Sequence, residues 1–562
     1  MKRTKLVAVA ALFMLLTACG LAPSSHQVVE QKGAGGSARQ GGTLVVPLTN
    51  FDTLNPLLTE NESYYQLSNL LYDRLFVYEG SGRMVPSIAD HVDVSDGGKR
   101  VSVTIKKDIY WQDGTPITTK DVAETFDAVK HGPDDAVYKA MIRRSTGAGS
   151  NLDAVARAVV FDDRNIDFEF DRPYGNYMEL LSFPILPAHI YGEAGMLEKD
   201  DFKVVASGPF TLKRWDKNKR IFLEKNQNYH GSLPYIDEIK GLIFSDKDAI
   251  HQAYDAGQVD VCVIDDYTWD RYRTDKTSSV EPYETQSMEV VALNTKDPLL
   301  RDPKLRRAID LSINKQRIID SLYLSQGTMA NFFINPKLSG GLFTKEESYM
   351  SVDSAISLLE KSGYRDIDGD GYREDTSGAP LTIEIASNVE NHRMRTEAQT
   401  IAEDLKKVGI RAHLKEMDAA PKVDDDASSR KKKETPSDLN QVLTSGNFQM
   451  AIVGMDFSAV PDLRAVLGSS SAGGMNISRY GNAEMDDLLN QLARSGDDAE
   501  RKVLVGKIYQ LFRRDVPYIP LVFKQRVLVT GPRVEGEMRP NAFSVYNGIE
   551  DIQIRATRAE GK

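Results

Sequence analysis

The stretch RDIDGDGYRED, residues 365–375, sets carboxylates at alternate positions and then a glycine. Asp366, Asp368 and Asp370 stand where a calcium loop places its ligands 1, 3 and 5, Gly371 falls at the turn position 6, and Glu374 at position 9. Hard oxygen donors at that spacing would hold a hard divalent cation, which makes a structural calcium one reading. Position 12, where a calcium loop needs a bidentate glutamate, is Ser377. Aspartate and glycine also make a tight solvated turn without metal, and the missing twelfth ligand favours that reading.

The chain offers little other chemistry. It has no G-x-S-x-G elbow, no H-E-x-x-H, no P-loop and no G-x-G-x-x-G after a strand. The 8 histidines are scattered singly, and acid pairs are too common among 81 Asp and Glu for spacing to single one out. Catalysis and a dedicated cofactor are not expected. Of the 2 cysteines, Cys262 lies in VDVCVIDD, where Val259, Val261 and Val263 alternate as a buried strand, so it reads as a structural thiol.

The elements that must position any site follow an α/β pattern. Val101, Val103 and Ile105 alternate as a strand, WQDGTP turns, and Thr118 with Asp121 forms a capping box for the helix TKDVAETFDAVK. FTLKRW and IFLE flank DKNK as a strand pair. Ala398, Ile401, Ala402, Leu405 and Val408 share one helical face, and Gly409 is a natural C-terminal stop. One segment breaks the pattern: 424–437, DDDASSRKKKETPS, is charge-blocked and reads as a mobile surface loop.

The N-terminus says where the protein is expected to work. Lys2, Arg3 and Lys5 precede an apolar run at 6–16, too short to span a bilayer as a mature helix, so residues 1–18 read as an export signal. Leu-Thr-Ala-Cys at its end resembles the bacterial lipobox, which implies cleavage before Cys19 and diacylation of its thiol, with two acyl chains giving stable anchoring. Residues 19–42 are small and polar, a tether. Loss of Lys2, Arg3 and Lys5 would carry the formal net charge from -11 to -14. So acidic a body argues against nucleic acid or anionic lipid as partner.

The order of further landmarks resembles the extracytoplasmic solute-binding proteins of family 5, the peptide and nickel transporter type. The residues are MVPSIADHVDVSDGGKRVSVTIKKDIYWQDGTPITTKDV, ASGPFTLKRW with LEKNQNYHGSLPYIDEI, AYDAGQVDV, ALNTKDPLLRDPKLRRAIDLSINKQRI, AISLLEKSGYRDIDGDGYRE, LKKVGI, NISRYGNAEMDDLL and DVPYIPLVF. The resemblance implies an α/β, two-lobed periplasmic-binding-protein-like fold (type II, the large three-domain variant) with a hinged ligand cleft. By the same resemblance lobe I comprises 43–75, 195–290 and 525–562, the extra domain is 76–194, and lobe II is 291–524. Two hinge crossings are expected, near 292–294 and near Lys524. The protein would be a lipid-anchored monomer that captures oligopeptides and hands them to the permease subunits of an ABC-type importer. Nickel complexes, haem, opines and oligosaccharides are the other solutes the family admits, and a surface sensor is the other role.

The resemblance also implies site residues. In peptide-binding relatives an aspartate after a strand, in a W-x-x-D-aromatic context, pairs with the peptide's ammonium. Asp456 followed by Phe457 matches the second half, while Val453 stands where the tryptophan would be. Met455 and Phe457 would line the pocket or pack beneath it. For the peptide's carboxylate, Arg393 and Arg395 in SNVENHRMR are the expected cations. Trp111, Asp113, Gly114 and Pro116, the turn at Ser207, Gly208 and Pro209, and Arg306, Arg307 and Asp310 read as structural landmarks.

Overall fold

The strand Thr43–Thr49 buries alternate residues, with Leu44, Val46 and Leu48 fully enclosed, as period-2 patterning demands. It pairs in parallel with Glu238–Phe244, which continues antiparallel to Arg220–Lys225 and Phe210–Asp216, the strand pair expected across DKNK. The computed structural model describes residues 40–555 except 79–82, 145–154, 199–201, 265–266, 276, 345–349, 419–421, 425–432, 436, 458–461 and 472–473. The export signal, Cys19 and nearly all of the tether therefore lie outside the described residues, as does most of the charged segment 424–437.

A second four-stranded sheet, in the order Ala89–Ser95, Arg100–Ile105, Asn165–Phe170, Val155–Val160, is antiparallel throughout. The helix Thr119–His131 starts beside it at the expected box, where the Asp121 carboxylate accepts the Thr118 backbone N–H at 2.7 Å. Trp111 is fully buried at the head of the preceding turn, its backbone N–H donating to the Thr115 carbonyl and the turn closed by Gly114 at φ +86. Gly208 is required by close approach, since a Cβ there would sit 2.6 Å from the Leu70 carbonyl oxygen.

A third sheet, of seven strands, is built on two long strands. Ser279–Leu293 and Tyr518–Thr530 run antiparallel, and from Ser287 onward the first also pairs with Met450–Asp456. Thr382–Asn388 and Arg411–Met417 extend the sheet in parallel, and Val261–Ile264 adds to the far end of Tyr518–Thr530. Helix His392–Lys406 makes the crossover of a parallel strand–helix–strand unit, ending as expected before Gly409 at φ +82. Before Gln286 no strand among the described residues pairs with this edge of Ser279–Leu293, and Pro282 sits in that stretch.

The register of the two long strands breaks between Glu284 and Met288, opposite Gln525 and Phe523. Lys524 lies at this break. Ala292, in contrast, is paired on both sides, with Tyr518 and Ala451, so the ladder is continuous at its end of the 292–294 segment and irregular nearer Lys524. A bulge frees backbone to bend where an unbroken ladder does not. Cys262 is buried and in no disulfide, but its neighbours do not alternate: Val261, Cys262 and Ile264 are all enclosed because both faces of that strand are covered.

Candidate functional site

The strand Met450–Asp456 ends with Asp456 opposite Ser287. Side chains alternate, so Asp456 and Gly454 share one face while Met455 takes the other. Asp456 is exposed, and its carboxylate has no hydrogen bond or ion pair among the described residues. Met455 and Phe457 are enclosed, at 7% and 8% exposure, and Phe457 meets Phe333 edge-on at 5.6 Å. Of the two roles open to them, they pack as core. The apolar side of the sheet has to be covered, and they supply that cover.

The face that carries Asp456 is polar where it approaches the junction. Glu289 lies opposite Gly454 and is fully buried, with its Oε1 2.8 Å from Lys524 Nζ on the neighbouring strand. Glu397, on the helix that covers this face, is also fully buried and accepts the Tyr323 hydroxyl at 2.7 Å. The Arg393 guanidinium lies over the Tyr323 ring, 4.9 Å from its centroid. Oε2 of Glu289, Oε2 of Glu397 and Nε of Arg393 are buried without a hydrogen-bond partner among the described residues. Burial, and then the neighbouring Glu289 carboxylate, push the Glu397 carboxyl up to about 8. Gly454 keeps a gap at this point: a Cβ there would lie 3.4 Å from Met394 Cε and 3.6 Å from Glu289 Oε2. Two residues farther along the same strand as Lys524, Arg526 reaches Glu62 at 2.8 Å.

Of the two expected arginines, the structure thus brings Arg393 to the polar face. Arg395 points instead to the outer strand, donating to the Val389 carbonyl at 3.3 Å and lying 3.5 Å from Glu416. Glu289, Lys524, Glu397 and Tyr323 did not emerge from sequence reasoning. The available signal was a charge interrupting an apolar run, Glu289 in MEVVAL and Lys524 in LVFKQRVLV.

The acidic turn stands elsewhere, between Val352–Lys361 and Thr382–Asn388. Carboxylate oxygens of Asp366, Asp368 and Glu374 lie within 4.8 Å of one another. Backbone amides already occupy several of them: Gly369 and Gly371 donate to Asp366, Asp370 donates to Asp368, and Ile367 donates to Glu374. Asp370 is 3.2 Å from Arg411, and Ser377 bonds Asp375 rather than facing the cluster. This donor set falls short of the 6–8 oxygens calcium takes. Arg306, one of the expected structural landmarks, is buried and donates to the carbonyls of Leu300, Asp515 and Val516, tying the turn before its own helix to the end of another.

Two further cavities avoid all the expected residues. One of about 270 Å³ is walled by Tyr65, Tyr72, Asp73, Tyr229 and Phe543. One of about 810 Å³ separates Tyr78 and Tyr177 from Gly340 and Asp497.

Comparison with known proteins identifies the family and the fold. The profile of the bacterial extracellular solute-binding proteins, family 5 middle region, matches residues 83–476. The oligopeptide-binding protein AppA of Bacillus subtilis is 25% identical over 97% of this chain and 98% of its own. A probable deoxycholate-binding periplasmic protein of Escherichia coli is 23% identical over 86% and 88%. The structure of the Bacillus subtilis AppA protein in complex with a nonapeptide superposes with a TM-score of 0.61 at 23% identity, covering 92% of this chain and 100% of that one.

Proposed function

The chain belongs to the bacterial extracellular solute-binding proteins of family 5, and on that premise we propose that its solute is a short peptide, captured for an ABC-type importer and held through its ammonium by Asp456. The observation that carries this reading is the open Asp456 carboxylate at the junction end of a central strand, on the same face as the Lys524 and Glu289 charges. A desolvated ammonium needs a charged acceptor, and a carboxylate free of other partners is ready to be one. The likeness to a peptide-binding relative supports the choice of solute. The rest of the peptide would lie extended between the lobes, where main-chain hydrogen bonds accept many side chains and closure about the two long strands excludes water.

We keep the division into 43–75, 195–290 and 525–562, with 76–194 inserted and 291–524 as the second lobe, as the proposed domain limits. Anchoring through diacylated Cys19 belongs to the same proposal. No helix among the described residues is long and apolar enough to cross a membrane. Mass spectrometry of the mature N-terminus tests the anchor, and an unmodified Cys19 in membrane-derived protein sinks it. Calorimetry against short peptides, nickel chelates and oligosaccharides tests the solute. Binding of a chelate or sugar with no response to any peptide would overturn the peptide reading.

A further inference from the structure

Asp456 accounts for one end of a peptide and leaves the carboxylate end without a cation. Three neighbouring strands place a candidate. Asp456 pairs with Ser287 on one side, and on the other Lys524 follows Phe523, the partner of Met288. Adjacent strands lie about 4.8 Å apart, so the two charged residues start roughly 10 Å from each other. They share a face: Lys524 reaches Glu289, which stands opposite Gly454, two residues from Asp456 along the same strand. Extended chain advances roughly 3.3–3.6 Å per residue, so an acid and a base at that separation suit the two ends of a peptide of about two to four residues.

The two expected arginines are less well placed. Arg395 is turned to Glu416 on the outer strand, and Arg393 is stacked on Tyr323. Lys524 Nζ spends one N–H on Glu289 at 2.8 Å, and its side chain is 25% exposed. An ammonium has three N–H groups, so two remain for an incoming carboxylate.

Resting on the peptide reading above, we propose that Lys524 receives the carboxylate of the bound solute and that Glu289 and Glu397 are its positioning residues. Glu289 fixes the ammonium directly, and Glu397 controls how much negative charge stands behind it. The groups facing Glu397 are Glu289 and Lys524 from the two long strands, Tyr323 just beyond the helix Lys315–Leu322, and Arg393 on its own helix. With its carboxyl held up at about 8, Glu397 is neutral at neutral pH, and the solute meets Lys524 with one carboxylate already bound to it. Above that pH Glu397 ionises and a second negative charge opposes the solute's own. Affinity for a carboxylate-ended solute therefore falls as pH rises through about 8, by up to about tenfold per unit for one linked proton.

The test uses three probes, a mixed library of free tripeptides, the same library N-acetylated, and the same library C-amidated, with bound fraction read by native mass spectrometry on the whole chain. The expected result is that amidation weakens binding tenfold or more in the wild type. Lys524→Met should erase the acid-to-amide difference while leaving the penalty for N-acetylation, and Arg393→Met should keep both. Glu397→Gln should flatten the pH profile of acid binding. Lys524→Met strands the buried Glu289 carboxylate, so the pair Glu289→Gln with Lys524→Met serves where the single variant does not fold. Equal binding of acid and amide by the wild type, or loss of the difference in Arg393→Met and not in Lys524→Met, overturns the proposal and leaves the Asp456 reading standing. Failure of every free tripeptide to bind overturns the peptide reading itself, and this one with it.

Discussion

Two acidic clusters in this molecule are built in opposite ways. In the turn at 366–374 the carboxylates are close in sequence and mostly exposed, and backbone amides of their own loop occupy them. Around Lys524 the carboxylates come from Glu289 and Glu397, far apart in the chain and fully buried, and each keeps one oxygen without a protein donor among the described residues. The first cluster spends its charge on folding a loop, where water and local amides neutralise it cheaply. The second holds its carboxyl groups in an enclosed position, where each unpaired group is costly and every change of partner is felt. Conspicuous spacing is thus a poor guide to where charge matters. Burial and missing partners are better ones.

The largest expected effect separates the solute face from everything else. Asp456→Ala should lower peptide affinity by about 30- to 1000-fold, the roughly 2–4 kcal/mol typical of removing one side of a desolvated charge pair. N-acetylation of the peptide should cost the wild type a similar factor. Calorimetry checks both, and a loss of less than threefold would move the ammonium site away from Asp456.

The next effect concerns the buried pair. The Glu397 carboxyl sits at about 8 when folded against an ordinary 4.5, so the native state holds a proton that the unfolded state has released between those values. That stabilising contribution is complete below about pH 4.5 and is lost as pH rises through about 8. Urea unfolding at about pH 5.5 and about pH 8.5 should show the wild type less stable at the higher pH, by on the order of 2 kcal/mol beyond any change in Glu397→Gln. A slope identical in the two proteins would mean that Glu397 does not titrate as its burial dictates.

Smaller effects test the turn. Gly371 sits at φ +87, in the left-handed region that a side chain disfavours, so Gly371→Ala should destabilise the fold by about 1–2 kcal/mol. Solute affinity should stay unchanged, and a change would link the turn to the cleft. The smallest expected effect is that of calcium. With the nearby oxygens taken by amides and Arg411, millimolar calcium should leave the melting temperature unmoved, and a rise of several degrees would make the turn a metal site.

Local patterns made much of the scaffold legible. The capping box at Thr118, the strand pair around DKNK and the helix ending at Gly409 all rest on interactions within a few residues, and all three stand in the structure. Asp456 was legible through its place in a family pattern. Its face of the sheet was not, because Glu289 and Lys524 become neighbours only by pairing of strands 235 residues apart. The same gap explains Arg306. Its sequence neighbours offer it acids, and the fold instead surrounds it with carbonyl oxygens from a turn and a helix end.

By itself the sequence determined the α/β alternation, the elements' starts and stops, the acidic net charge and the family, since each is written in composition, period or local order. Only the tertiary structure decided that Met455 and Phe457 pack as core, that Arg395 faces the outer strand, and that Lys524 pairs with the buried Glu289 carboxylate. The reason is physical: which face of a strand is enclosed, and which charge meets which, depends on partners brought from distant parts of the chain, and no local period encodes them.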